Sequence, residues 1–346
     1  MSAILITGGS GTFGRAFVRA CLTEPAAPDM LPLTERRWDR VISYSRDEVK
    51  AAAMVEEFGH HRAFKAFLGD VRDRDRLAVA LRGVDVVVHA AALKRVDVGA
   101  YSPSEMLQTN ITGTMNVVTE AIEAGVGRVV VISSDKAVAP TNIYGASKYC
   151  GEVYAVQANN YGHRRPGEPP TRIAAVRYGN VLGSRGSVVH VWRGQLARGQ
   201  APTLTAPDMT RFIMTIEEAV ALVRHALAEM RGGEVFVPVL PSAYMADLCE
   251  AVALEADAKW QDPVVTGLRP GGEKMAEALL NEEEPHRTRR VGAHYVVAPS
   301  SHEWTDAGWA AGDPVPTDLV YRSDRNDRWL GVSDLRALLA STEALR

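Results

Sequence analysis

Val129-Val130-Val131-Ile132-Ser133-Ser134-Asp135-Lys136-Ala137, followed after a short loop by Tyr144-Gly145-Ala146-Ser147-Lys148, decides how the rest of the chain is read. The β-branched run predicts a parallel strand covered on both faces, because such strands lose the polar alternation of a half-exposed one. Polar residues begin where that strand ends. In an open α/β sheet the ligand crevice lies beyond the carboxyl ends of the strands, so Ser134, Asp135 and Lys136 are expected to face a substrate. Tyr144 and Lys148 have the spacing that stacks two side chains on one helix face. An ammonium beside a phenol favours phenolate, which makes the pair a base able to take a proton from an alcohol.

Working back to the start, Ala3-Ile4-Leu5-Ile6 predicts a short buried strand, Thr7-Gly8-Gly9-Ser10-Gly11-Thr12-Phe13-Gly14 a glycine turn, and 15–22 a helix. Gly8, Gly11 and Gly14 would allow a tight turn and close approach of a pyrophosphate to the helix N-terminus, with Ser10, Thr12 and Phe13 beside it. The spacing differs from G-x-G-x-x-G, so an ordinary glycine turn is the competing reading. This opening reads as a first strand and not a signal peptide. The proline-bearing stretch 23–40 reads as a loop.

Strand 40–44 runs into Ser45-Arg46-Asp47-Glu48-Val49-Lys50. A carboxylate here would take a ribose 2′-hydroxyl, whereas a guanidinium accommodates a 2′-phosphate. Arg46, with Ser45 and Lys50, favours NADP; Asp47 on the ribose would give NAD, and a solvated charged helix start would give neither. A third strand, 66–71, ends at Asp70 and Val71, where Asp70 meets adenine or caps the next helix, 73–81. The fourth, 84–89, leads to Ala90, Ala91 and Ala92, small enough for a cofactor to lie close. His89 reads as a core histidine, and Lys94 and Arg95 as phosphate partners or solvated charges. A helix over 102–124 buries Asn110, which must then be hydrogen-bonded and is expected to brace backbone near the site.

Strand-helix repetition predicts an α/β fold, a doubly wound parallel sheet. After a loop at 161–171, strand 172–178 completes a first unit, 1–178, and 179–346 supplies a smaller lobe interwoven with the sheet. At 346 residues, 46% apolar and 23% charged, the chain has ample material for a core, and its net charge of −3 speaks against general nucleic-acid binding. No apolar run reaches bilayer length, so a cytoplasmic protein is expected. Cys21, Cys150 and Cys249 lack metal-type spacing and read as buried thiols, with no metal site.

Together these motifs closely resemble the extended short-chain dehydrogenase/reductases of Rossmann type. Within that superfamily they are most similar to the inverting UDP-N-acetylglucosamine 4,6-dehydratases. The resemblance is carried from Ile4 to about Glu284 by Tyr44-Ser45-Arg46-Asp47-Glu48, Gly69-Asp70-Val71-Arg72-Asp73, His89-Ala90-Ala91-Ala92-Leu93-Lys94, Ser134-Asp135-Lys136-Ala137, Arg177-Tyr178-Gly179-Asn180-Val181, Met209-Thr210-Arg211-Phe212 and Arg269-Pro270-Gly271-Gly272-Glu273-Lys274. It implies a homo-oligomer, dimer or higher, acting on UDP-N-acetylglucosamine or a close UDP-sugar. It also implies roles: Tyr144 deprotonates the C4 hydroxyl, Lys148 holds phenolate and cofactor ribose, Ser134 binds the C4 oxygen, Lys136 takes the C5 proton, and Asp135 as an acid expels the C6 hydroxyl. Asp135 must then be protonated and Lys136 neutral at least transiently; a plain ion pair is the competing reading.

Arg177, Arg211 and Arg269 fit a pyrophosphate by their guanidinium forks, or else serve as interface ion pairs. Asn180, Ser187 and Glu273 are expected at the sugar or uridine, and Trp192, Phe212 and Met214 in core or wall. Related epimerases typically lack Asp-Lys after the strand, which leaves a C4-epimerase as the second reading and a non-catalytic NADP-binding protein as the third. Ser134 for the usual Thr, Asp97 for Pro, the extra Gly272, and poor matching at 203–208 and 285–320 depart from the resembled pattern, all but Ser134 on the substrate side.

Overall fold

A computed structural model describes residues 2–23, 38–161, 170–257, 261–269, 271–300 and 312–342. The expected loop at 23–40, the prolines near 166, Pro270, and Trp304 and Trp309 therefore lie largely outside the described residues. Six parallel strands form the body: β1 (Ala3–Thr7), β2 (Arg40–Ser45), β3 (Phe64–Leu68), β4 (Val86–His89), β5 (Arg128–Ser134) and β6 (Arg172–Tyr178). They stand in the order β3-β2-β1-β4-β5-β6, which continues through Val235–Pro238 and then three short strands, 294–297, 288–291 and 313–314, joined antiparallel. The order reverses between β1 and β4, where a doubly wound sheet opens its ligand crevice.

The β-branched reading of β5 holds: after Arg128 every residue of the strand is buried, as is the whole of β1. Helices α1 (Thr12–Thr23), α2 (Glu48–Phe58), α3 (Arg74–Ala80), α4 (Val96–Tyr101), α5 (Pro103–Leu107), α6 (Gly113–Glu123), α7 (Ile143–Gln157) and α8 (Val188–Ala197) follow along the chain. Apolar clusters bury both faces of the sheet, one around Phe17, Phe212 and Phe236 and the other around Leu77, Val117 and Val129. Burial at about 25 cal/mol per Å² of apolar surface makes these layers the main source of stability.

Two local expectations change. The helix over 102–124 is interrupted by a wider π turn, Gln108–Thr112, between α5 and α6. Asn110 on that turn is buried and takes both polar groups of the Leu93 backbone, N–H at 2.8 Å and C=O at 2.9 Å, so it braces backbone as expected. A single inserted residue commonly aims a functional side chain in this way. Helix α3 is capped by Asp73, whose carboxylate accepts from Arg76 N–H, and not by Asp70.

The smaller lobe contains a three-stranded sheet of 242–244, 210–214 and 180–181, and a core of Trp192, Met209, Leu248, Cys249, Leu335 and Leu339. Trp192 sits here in the core, and Phe212 and Met214 join the main apolar cluster. The thiols are not uniformly buried. Cys249 is buried, and desolvation pushes it up to about 12, whereas Cys21 is half-buried and Cys150 exposed on α7. Among the described residues no helix is long and apolar enough to cross a membrane, and no metal-ligating cluster forms.

Candidate active site

A cleft of about 1260 Å³ lies over the carboxyl ends of β1, β4, β5 and β6, between the sheet and the smaller lobe. Its floor is set by the turn after β1. Gly8 adopts φ +66°, and a Cβ there would stand 2.9 Å from the Ala91 backbone; one on Gly14 would stand 2.4 Å from the Gly8 carbonyl. Side chains are thus excluded where the turn, α1 and the Ala90–Ala91 segment converge, leaving a cradle of backbone at a helix N-terminus that suits a phosphate. Ser10, Gly11, Thr12, Phe13, Ala90, Ala91 and Ala92 line the same floor.

At the end of β2, Ser45, Arg46 and Lys50 line the cleft with Asp70 and Val71. Asp47 is committed as the N-cap of α2, accepting from Lys50 N–H at 3.0 Å and pairing with Lys50 Nζ at 2.6 Å. Arg46 is half exposed, with Asp70 at 3.6 Å, while Asp70 is gripped by Arg72.

The end of β5 brings Ser134, Lys136, Tyr144 and Lys148 to one wall. Asn142 caps α7 through Gly145 N–H and so fixes the turn that presents Tyr144. Burial raises the phenol of Tyr144, and the Lys136 ammonium and the Ser134 hydroxyl pull in the opposite direction. Lys148 is buried and donates to the Ile132 carbonyl, and desolvation brings it down to about 8. Among the described residues, Lys136 is the cation that lowers the Tyr144 phenol.

Lys136 donates to Asp135 Oδ1 at 3.0 Å and Asn180 Oδ1 at 3.3 Å, and forms an ion pair with Glu277 Oε1 at 3.3 Å. Desolvation lowers its proton affinity, but Asp135 and Glu277 outweigh that and leave it above the ordinary lysine value. At rest the side chains thus form the ion pair that was the competing reading, with Lys136 against Asp135 and Glu277. Asp135, expected to face the substrate, instead lies buried beneath the wall; Oδ1 also accepts from Ser134, and Oδ2 has no hydrogen-bond partner among the described residues.

Glu277 is a site residue that the sequence reading missed. Burial alone would raise its carboxyl, yet Lys136 and Lys274 hold it below the usual range. It lines the cleft, with Oε2 on Lys274 at 3.0 Å, and Lys274 in turn donates to the Val138 carbonyl at 2.7 Å. The signal was an acid three residues beyond Lys274, just past the 269–274 motif.

On the substrate side, Lys94, Asn180, Ser187, Arg211, Arg269 and Glu273 line the cleft. Glu273 holds Arg269, and Arg211 at 3.4 Å. Ser187 precedes α8, and its buried hydroxyl has no hydrogen-bond partner among the described residues. The extra Gly272 has φ +96° and its carbonyl accepts from Asn142 at 2.9 Å. A Cβ added to Gly272 would stand only 2.5 Å from the Thr141 carbonyl, so this loop packs directly on the start of α7. Arg177 does not reach the cleft. Its side chain is 2% exposed and forks between Glu152 at 2.6 Å and Glu284 at 2.7 Å, so it is an internal ion pair and not a pyrophosphate ligand. His89 is buried, as expected.

A family model described as "Polysaccharide biosynthesis protein" matches residues 4–299. A UDP-N-acetylglucosamine 4,6-dehydratase (inverting) of Campylobacter jejuni is 37% identical over 98% of both chains. A UDP-glucose 4-epimerase of Rickettsia massiliae is 33% identical over 98% of this chain and 96% of its own. The X-ray structure of Pen from Bacillus thuringiensis superposes with TM-score 0.85 at 31% identity, covering 99% of this chain and 98% of that one. More distant dehydratases and epimerases of the same fold were solved with NAD.

Proposed function

Because this chain belongs to the polysaccharide biosynthesis family of extended short-chain dehydrogenase/reductases, alongside inverting dehydratases, we propose that it is a UDP-N-acetylglucosamine 4,6-dehydratase that inverts C5. The observation that carries this reading is Lys136 between Asp135 and Glu277 in the same wall as Tyr144 and Ser134. Oxidation at C4 needs only the tyrosine and its neighbours. An added acid-base pair has work to do when water is eliminated.

Tyr144 takes the proton of the C4 hydroxyl, with the Ser134 hydroxyl on the same oxygen and the Lys136 charge favouring phenolate. A nicotinamide dinucleotide held along the Gly8–Gly14 turn and Ala90, Ala91 and Ala92 would supply the hydride acceptor for C4 and the hydride donor for C6. The 4-ketone acidifies the C5–H bond. Transfer of one proton across the 3.0 Å contact from Lys136 Nζ to Asp135 turns the ion pair into amine and carboxylic acid, creating base and acid in one step. Lys136 then takes the C5 proton, and Asp135, through the Ser134 hydroxyl that contacts it at 2.6 Å, protonates the C6 hydroxyl, which leaves as water. A proton delivered to the opposite face of C5 completes the inversion.

Arg46 beside Ser45, with Asp47 engaged as a helix cap, supports NADP over NAD. Arg211, Arg269 and Lys94 are assigned to the UDP phosphates, and Asn180, Ser187 and Glu273 to the sugar or uridine. The protein is taken to be a cytoplasmic homo-oligomer, dimer or higher, in two interwoven parts, 1–178 and 179–346.

The test is incubation of the purified protein with UDP-N-acetylglucosamine in deuterated water, followed by NMR and mass spectrometry. Loss of water with deuterium at an inverted C5 supports the reading. A C4 epimer that retains its oxygen refutes it in favour of the second reading, which the 33% identical epimerase supports.

A further inference from the structure

A buried polar chain links the end of β1 to the helix of Tyr144, and the chemistry above does not use it. Strand register sets Thr7 opposite His89 at the carboxyl ends of β1 and β4. Thr7 Oγ1 is 2.7 Å from His89 Nδ1, and His89 Nε2 is 2.9 Å from Thr114 Oγ1 on α6. Thr114 donates to the Asn110 carbonyl at 2.6 Å. The Asn110 side chain grips Leu93 and donates to Ser147 Oγ at 2.9 Å, which donates to the Tyr144 carbonyl at 2.8 Å. At the other end the amides of Ala90 and Ala91 donate to Thr7 Oγ1 at 3.2 and 3.3 Å.

The directions of these bonds have one consistent solution. A carbonyl only accepts, so the single hydroxyl hydrogen of Thr114 goes to Asn110, and Thr114 must accept from His89 Nε2. Thr7 accepts from two amides, so its hydrogen goes to Nδ1. Both hydroxyls require the same neutral tautomer. A second ring proton would collide with the hydrogen of Thr7. The ionisable group facing the ring is Lys148 on α7, and the neighbours on β1, α6 and the π turn are uncharged; burial first, and then that ammonium, push the imidazole down to about 3.

We propose that His89 is a positioning residue, held as the Nε2–H tautomer, that locks the 90–93 wall of the cleft to the Tyr144 helix and so sets the distance between cofactor and phenol. This rests on the reading of the cleft as a nicotinamide dinucleotide site. Ala90, Ala91 and Leu93 line that site, and each is tied by backbone to a member of the chain.

Nitrogen NMR of the histidine-labelled wild-type protein, with His89 assigned by its loss in His89→Gln, tests the tautomer directly. An Nε2–H ring that does not titrate between about pH 5 and 8 is expected; an Nδ1–H ring or a titrating one overturns the inference. His89→Gln keeps an acceptor and a donor and is expected to bind NADP within about threefold of wild type, whereas His89→Leu weakens it about tenfold. Wild-type affinity and turnover in His89→Leu would overturn the positioning role. If the wild-type protein binds no nicotinamide dinucleotide, the reading of the cleft falls and the positioning role falls with it. Wild-type binding with a titrating His89 overturns the inference alone.

Discussion

Replacing Arg177 by Met is expected to unfold the protein more easily without touching its chemistry. The guanidinium makes two bonds to Glu152, at 3.1 and 2.6 Å, two to Glu284, both at 2.7 Å, and one to the Leu279 carbonyl at 2.9 Å. Both carboxylates are 3% exposed, so the substitution strands two buried charges. Removing one partner of such a cluster costs about 3–5 kcal/mol, a large part of a total of about 5–15 kcal/mol. A fall in midpoint of roughly 4–7 °C follows for a chain of 346 residues. Burial raises the Glu284 carboxyl, but Arg177 outweighs it and leaves the folded value below the usual one. Its stabilisation is therefore complete above the unfolded glutamate value of about 4.3 and is lost as pH falls through the folded value. The gap between wild type and Arg177→Met should be widest near neutrality and narrow below about pH 4. Thermal and denaturant unfolding across that range measure it. A variant within about 1 kcal/mol of wild type whose KM for the UDP-sugar rises sharply would refute the reasoning and return Arg177 to the pyrophosphate.

Four further outcomes are expected. Lys136→Met should lower the elimination rate by about 10²–10⁴ and abolish deuterium entry at C5 while the protein stays folded, as shown by rapid-quench mass spectrometry. Glu277→Gln relieves one of the two carboxylates that keep Lys136 charged, so the ionisation of Lys136 in the pH–rate profile should move to lower pH; an unmoved profile would contradict the pairing. Arg46→Ala should weaken NADP about tenfold or more and leave NAD nearly unchanged, measured by titration of both. With Lys148 at about 8, kcat/KM should decline as pH rises through that value and its ammonium is lost, and Lys148→Met should remove that limb.

Local pattern carried the sheet and its ligand edge. Unbroken β-branched runs, glycines before a helix and small residues after a strand report on backbone geometry within a few residues, so the parallel sheet and the cleft at its carboxyl edge were legible before any coordinates. Asn110 was legible too, because a buried amide has few alternatives to gripping nearby backbone. The π turn beneath it was not, since its residues carry ordinary helix propensities.

The residues themselves determined the fold class, the chemistry available at the end of β5 and the commitment of that edge to a ligand. Tertiary structure decided how each charge is spent. Arg177 and Arg211 look alike in sequence, yet one closes on Glu152 and Glu284 in the core and the other borders the cleft. Lys136 is held above the ordinary lysine value because Asp135 and, from a distant loop, Glu277 stand beside it, and His89 has one tautomer because β1 and α6 meet it from two sides. Charge state and hydrogen-bond direction depend on partners far along the chain and on their removal from water, and only folding brings those together.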